Sequence, residues 1–146
     1  QDGDGVLDPE WVSNNTAVYE LPIPLRLSWD PTRRAYKFRA HRYVGDAMVE
    51  ALKEIAEYRG PIWLSDEDLD FYGGVYNFRV KTGGRDLSTH AWGIAIDLNP
   101  HRGKFGQPSD MPEFIVKAFG RRGFAWGGSW PAPYTDGMHF SACVGY

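Results

Sequence analysis

The stretch "LSTHAWGIAIDLNP", residues 87–100, constrains the fold of this chain more than any other. In "GIAIDL", Ile94, Ile96 and Leu98 alternate with Ala95 and Asp97, the period of a β-strand with one apolar face. The other face carries a carboxylate among small residues, which leaves space over the sheet beside Asp97. His90 lies seven positions earlier. On a straight helix that separation amounts to about 10 Å along the axis, and Gly93, Ile94 and Ile96 all disfavour a helix. On a regular strand, the odd spacing sends His90 to the opposite face, too far away at roughly 3.3 Å per residue. The two side chains can meet only if the chain bends between them, and Gly93 is the residue that permits a bend. Two readings stay open from these residues alone. His90 and Asp97 are metal ligands, or His90 is a satisfied polar group and Asp97 a strand-end residue bonding the turn at Asn99-Pro100.

"TDGMHFSACV", residues 135–144, bears on that choice. His139, Ser141 and Cys143 share one face of an alternating segment, and Phe140, Ala142 and Val144 share the other. A strand laid beside that of Asp97 brings His139 over the same small-residue face. Two imidazoles and one carboxylate make a three-ligand zinc site whose fourth position is open to water, the pattern of a hydrolytic centre. Cys143 is four strand residues from His139, too far to join, and reads as a buried, inert thiol. Asp136 precedes His139 by three residues and can serve as general base beside the water, or simply close the turn at "TDG". Arg79, in "YNFRVKTGG", is a cation suited to polarising a carbonyl or stabilising an oxyanion, or else a surface ion-pair partner. His41 and His101 have no partner at ligand spacing.

Elsewhere the pattern is that of one domain with a sizeable core. The 146 residues are 42% hydrophobic and 15% aromatic, which argues against disorder. A net charge of −3, from 16 basic and 19 acidic residues, gives no overall positive field for nucleic acid or an anionic membrane. The single cysteine excludes an internal disulfide and a cysteine-rich zinc knuckle. No apolar run approaches the roughly 18 residues of a membrane span. Gln1 in place of Met reads as a cut point in a longer parent protein.

Residues 1–34, with "LPIPLRLSWDP" at their centre, read as an extended arm laying Leu21, Ile23, Leu25 and Trp29 onto a domain of residues 35–146, because prolines break helix and central strand alike. "DGDG", residues 2–5, resembles half of a calcium loop without the acidic residue that closes one. In "HRYVGDAMVEALKEIAEYRG", Val44, Ala47, Met48, Ala51, Leu52 and Ile55 form one helical stripe that Gly60-Pro61 ends. "DLDFYGGVYNFRVKTGGRDLS" reads as strand and turn. "SDMPEFIVKAFGRRGF" reads as a second helix, capped by Asp110, with Pro112 and Glu113 in its first turn and Gly123 at its end. Strands mixed with two unequal helices, without a βαβ repeat, indicate an α+β fold.

Taken together, Arg79, Ser88-x-His90-x-x-Gly93-x-Ala95-x-Asp97 and Asp136-x-x-His139 resemble the zinc peptidases of bacterial cell walls. That group comprises D-alanyl-D-alanine carboxypeptidases and dipeptidases and phage L-alanyl-D-glutamate endopeptidases. "GFAWGGSW", residues 123–130, resembles the stretch before the final histidine in the endolysin-like branch, and the likeness runs from about Tyr72 to Cys143. It implies the hedgehog/D-Ala-D-Ala peptidase fold, with a small antiparallel sheet carrying the site and helices flanking it. It implies one Zn²⁺ held by His90, Asp97 and His139, with Asp136 as general base, Arg79 as carbonyl or oxyanion partner, and Ser88 in contact with substrate or a ligand side chain. Trp126, Trp130 and Tyr134 are candidates to line a cleft for the peptide, or else packing anchors. Many members, especially the dipeptidases, carry glutamate where this chain has Asp136, whereas some endolysin-type members carry aspartate. The expectation is therefore an L-alanyl-D-glutamate endopeptidase acting on peptidoglycan stem peptides, with D,D-carboxypeptidase or dipeptidase action as the alternative. A wall-binding or signalling module that keeps the metal for stability alone is the competing class, and it has no need of a carboxylate at 136. The implied location is the bacterial cell wall or the extracellular or periplasmic side, or release at lysis for a phage-encoded member. A monomer is expected, with neither nucleic acid nor membrane as partner.

Overall fold

The computed structural model describes residues 9–75 and 93–142. A short helix α1 (Pro9–Asn15) leads into two long strands, β1 (Thr16–Leu27) and β2 (Asp30–His41). Helices α2 (Gly45–Arg59) and α3 (Pro61–Asp66) follow, then β3 (Phe71–Gly74) and β4 (Ala95–Leu98). After a 3-10 turn at Pro100–Arg102 come α4 (Glu113–Gly120), β5 (Phe124–Trp126), a second 3-10 turn at Gly127–Ser129, and β6 (His139–Ala142). The six strands form one sheet in the order β2-β1-β3-β4-β6-β5. The α+β class is as expected. The sheet is larger than anticipated and mixed rather than purely antiparallel, because β1 and β3 run parallel, Arg26 beside Phe71 and Leu27 beside Tyr72.

The proline-rich stretch expected as an arm contributes β1, which lies inside the sheet between β2 and β3. Its prolines do not break it because they fall in a large bulge. Between the pairs Glu20–Lys37 and Leu25–Ala35, β1 advances five residues while β2 advances two. Pro22 and Pro24 occupy the surplus, where the ladder is interrupted and a missing N–H costs nothing. Leu21 and Leu25 are buried as expected and Ile23 packs on the core. Trp29 sits in the β1–β2 turn and stays 65% exposed, with its ring 6.4 Å from that of the buried Tyr72. Residue 34 falls within β2.

Helix α2 buries Met48, Ala51, Leu52 and Ile55, the stripe read from the sequence. Helix α4 is shorter than expected and is not capped by Asp110. Pro112 stands at its N-cap without a side-chain bond, and Asp110 instead faces Arg102 at 3.5 Å. Gly120 is the last helical residue, so Gly123 belongs to the turn into β5. The Phe119 ring of α4 stacks on Phe140 of β6 at 4.7 Å and meets Phe124 of β5 edge-on at 5.3 Å. This packing covers the apolar face of β4 and β6. Alternation then puts Ala95, Asp97, His139 and Ser141 on the opposite face.

Candidate active site

Strands β4 and β6 are antiparallel, with Asp97 directly opposite His139 and Ala95 opposite Ser141. The flanking bond runs from the Leu98 N–H to the Met138 carbonyl at 2.9 Å. Asp97 and His139 therefore form a non-hydrogen-bonded pair, the kind whose side chains stand closest. Asp97 Oδ1 is 3.4 Å from His139 Nδ1, with only 10% and 7% of the two side chains exposed. The small-residue floor beneath them is Ala95 and Ser141, as the alternation suggested.

The neighbouring strand makes room for this pair. Gly73 lies against Asp97, and a Cβ there would stand 2.9 Å from the Asp97 Cβ and 3.1 Å from its carbonyl oxygen. A register irregularity between Tyr72 and Gly74 accompanies the close approach. Within the stretch read as strand and turn, the Gly73-Gly74 pair falls in the strand, which is thin where it passes the Asp97 carboxylate. Tyr72, just before it, is also buried. Burial, and then the charge of Asp97, raise its hydroxyl well above the usual tyrosine value, against a lowering bond with the Val75 backbone.

Asp136 reaches the same imidazole from the chain before β6. Its N–H donates to the Gly127 carbonyl at 2.9 Å, and its carbonyl accepts the His139 N–H at 3.0 Å. A Cβ on Gly127 would collide with the Asp136 carbonyl, so the 3-10 turn can press this close only with glycine there. The turn reading of "TDG" is thus correct, and the same turn aims the carboxylate: Asp136 Oδ2 lies 4.0 Å from His139 Nδ1. The Trp130 ring stands 5.2 Å from the His139 ring. Tyr134 is exposed nearby in sequence. Trp126 packs against the core and donates its indole N–H to the Gly137 carbonyl at 2.8 Å, which anchors the turn between Asp136 and His139.

Gly93 has φ +71, the bend expected between His90 and Asp97. Arg79, Ser88, His90 and Cys143 lie outside the described residues. Among the described residues, no group of three or more His, Cys, Asp or Glu side chains is arranged to hold a metal ion. The two implied donors that are described nevertheless fit one. Ligand atoms about 2.1 Å from a tetrahedral zinc stand about 3.4 Å apart, and Asp97 Oδ1 and His139 Nδ1 are separated by 3.4 Å.

Residues 81–142 match the family model described as D-alanyl-D-alanine carboxypeptidase. The match agrees with the resemblance to cell-wall peptidases read from the sequence. It spans Ser88, His90, Asp97, Asp136 and His139 and leaves Arg79 just outside. No curated protein and no solved structure matches the chain. Peptide hydrolysis is the activity class to which this peptidase match points. No described helix is long and apolar enough to cross a membrane.

Proposed function

We infer that this chain is a zinc peptidase that hydrolyses an amide bond in peptidoglycan stem peptides, between L-alanine and D-glutamate. The observation that carries the reading is the buried Asp97–His139 pair with the Asp136 carboxylate beside it. His90, Asp97 and His139 would hold one zinc ion. Such an ion supplies Lewis-acid polarisation of the scissile carbonyl and acidifies water in its coordination shell.

The protein's own groups do the rest. Asp136 accepts a proton from the attacking water and returns it to the leaving amine. Aspartate is one methylene shorter than the glutamate of many family members. Arg79 stabilises negative charge developing on the carbonyl oxygen, Ser88 contacts the substrate or a ligand side chain, and Trp130 and Tyr134 border the peptide. The enzyme acts as a monomer on the wall side of the envelope.

Asp136→Ala should retain zinc and lose turnover by a factor of about 10²–10⁴, as read by elemental analysis and by hydrolysis of purified peptidoglycan. His139→Ala should lose both. Full metal content in His139→Ala would overturn the ligand set, and undiminished hydrolysis in Asp136→Ala would remove the assigned base. The description of the matching family favours a second reading, D-alanyl-D-alanine carboxypeptidase action. Mass spectrometry of the digest separates the two: new L-alanine carboxyl ends mark the endopeptidase, and released D-alanine marks the carboxypeptidase.

A further inference from the structure

The charge of this chain is segregated. Residues 16–43, which hold β1, β2 and the turn between them, contain six Lys or Arg and two acidic residues. This stretch therefore carries +4 in a chain of net charge −3, and everything else together carries −7. Strand β2 is an outer strand of the sheet, with Arg33, Arg34, Lys37 and Arg39 exposed along it and Arg42 exposed just after it. Of these, only Arg34 meets a carboxylate among the described residues, Asp70 at 3.4 Å. Arg39 donates to the Thr16 hydroxyl, and Arg42 to the Asn14 and Ser13 carbonyls, contacts that orient the guanidinium groups without neutralising them. Lys37 stands opposite Glu20 in the ladder. Three exposed rings, Trp29, Tyr36 and Tyr43, lie along the same hairpin.

The hairpin is joined to the active-site strands at both of its ends. At its tip the Ser28 N–H donates to the Tyr72 carbonyl at 3.0 Å, and at its base the His41 N–H donates to the Gly93 carbonyl at 2.9 Å. A polymer lying along β2 is thus held on the same sheet as Asp97, with β1 and β3 between it and β4.

We propose that the β1–β2 hairpin is a docking strip for the carboxylate-bearing glycan–peptide polymer of the wall, a proposal that rests on the function inferred above. The acidic remainder of the molecule repels a polyanion and the hairpin attracts it, so the field selects one orientation of approach. Arginine forks match carboxylates in geometry as well as charge. The exposed rings offer flat apolar faces to sugar rings between the charged stems.

The experiment is co-sedimentation of the full chain with purified peptidoglycan stripped of phosphate polymers, compared for the parent and for Arg33→Glu/Lys37→Glu. Neither residue belongs to the active site. The parent should sediment, less so as salt rises, and the double variant should bind on the order of tenfold more weakly. Hydrolysis of a short soluble stem peptide should be unchanged in that variant. Arg33→Lys/Lys37→Arg should bind like the parent, which guards against misfolding as the cause. Unchanged sedimentation of the charge-reversed variant would overturn the proposal. So would retention only by walls that keep their phosphate polymers, or equally tight binding to a short DNA duplex. Sedimentation needs no turnover, so the two readings fail separately. A parent that sediments in a charge-dependent way but cuts nothing leaves the strip standing and removes the hydrolytic function. A parent that cuts soluble peptide but does not sediment does the reverse.

Discussion

Gly73 sets a limit on what can stand beside Asp97. A methyl group there would press on both the Cβ and the carbonyl of Asp97, and strand β3 cannot yield without disturbing its pairing to β4. Gly73→Ala should therefore cost about 1–3 kcal/mol, the usual range for overpacking, and displace the Asp97 side chain. Urea unfolding reads the first effect and zinc content at equilibrium the second. A variant that binds zinc like the parent would show that Asp97 does not need this gap. His41 gives a separate, pH-dependent handle at the base of the hairpin. Burial lowers it below the ordinary histidine value of 6.5, and its Nδ1 accepts the Tyr43 N–H at 3.2 Å, which only the unprotonated nitrogen can do. The fold favours neutral His41. Its contribution is fully present above the unfolded value of 6.5 and is lost as pH falls through that value toward the lower folded one. Thermal unfolding between pH 7.5 and 5 should show a decline in Tm that is weaker in His41→Gln. Parallel curves for the two proteins would mean that another group sets the acid response.

At the scale of elements, the sequence was most readable where period and burial agree. The alternation in "GIAIDL" and "HFSA" gave β4 and β6 and the shared face of Asp97 and His139, because a strand's period of two leaves little freedom once one face is apolar. The stripe of α2 was equally plain. Strand β1 was not, since Pro22 and Pro24 signal an edge or a break, and only the pairing partner reveals a bulge that accommodates them. The room at Gly73 and the pressure of Gly127 on Asp136 were hidden for the same reason: they depend on which distant segment lies alongside. Asp110 looked like a cap because the local pattern fits one, yet its carboxylate faces Arg102 instead. Beneath the site, α4 supports β6 through Phe119, which is fully buried against Phe140, the residue between His139 and Ser141. Phe119→Ala should cost about 3–5 kcal/mol in chemical denaturation, and Phe119→Leu distinctly less. Equal losses from the two would mean that the site collapses around the cavity and that β6 does not depend on the ring.

For the whole molecule, the question is what holds the basic hairpin against an acidic body. The joint is the cluster of Arg26 on β1, Arg34 on β2, and Asp68 and Asp70 ahead of β3. Arg26 reaches Asp70 at 2.6 Å and Asp68 at 3.1 Å, and it lies over the Phe71 ring at 4.2 Å. The two sides of the closest pair are unequally shielded, with 19% of the Arg26 side chain exposed but only 3% of Asp70. Asp70→Asn leaves a partly hydrated guanidinium that still has Asp68 and the Ser65 carbonyl, at 3.1 and 3.0 Å. Arg26→Met leaves a buried carboxylate whose remaining cation, Arg34, is 3.4 Å away and itself 41% exposed. Since stranding a buried charge costs more than losing a partly solvated one, Arg26→Met should destabilise by about 3–5 kcal/mol and Asp70→Asn by about 1–2 kcal/mol. Urea unfolding of both variants and of the double variant tests the order, and the double variant should recover part of the Arg26→Met loss because it no longer buries a bare carboxylate. The reverse order would mean that the stranded guanidinium, not the buried carboxylate, dominates the balance at this joint.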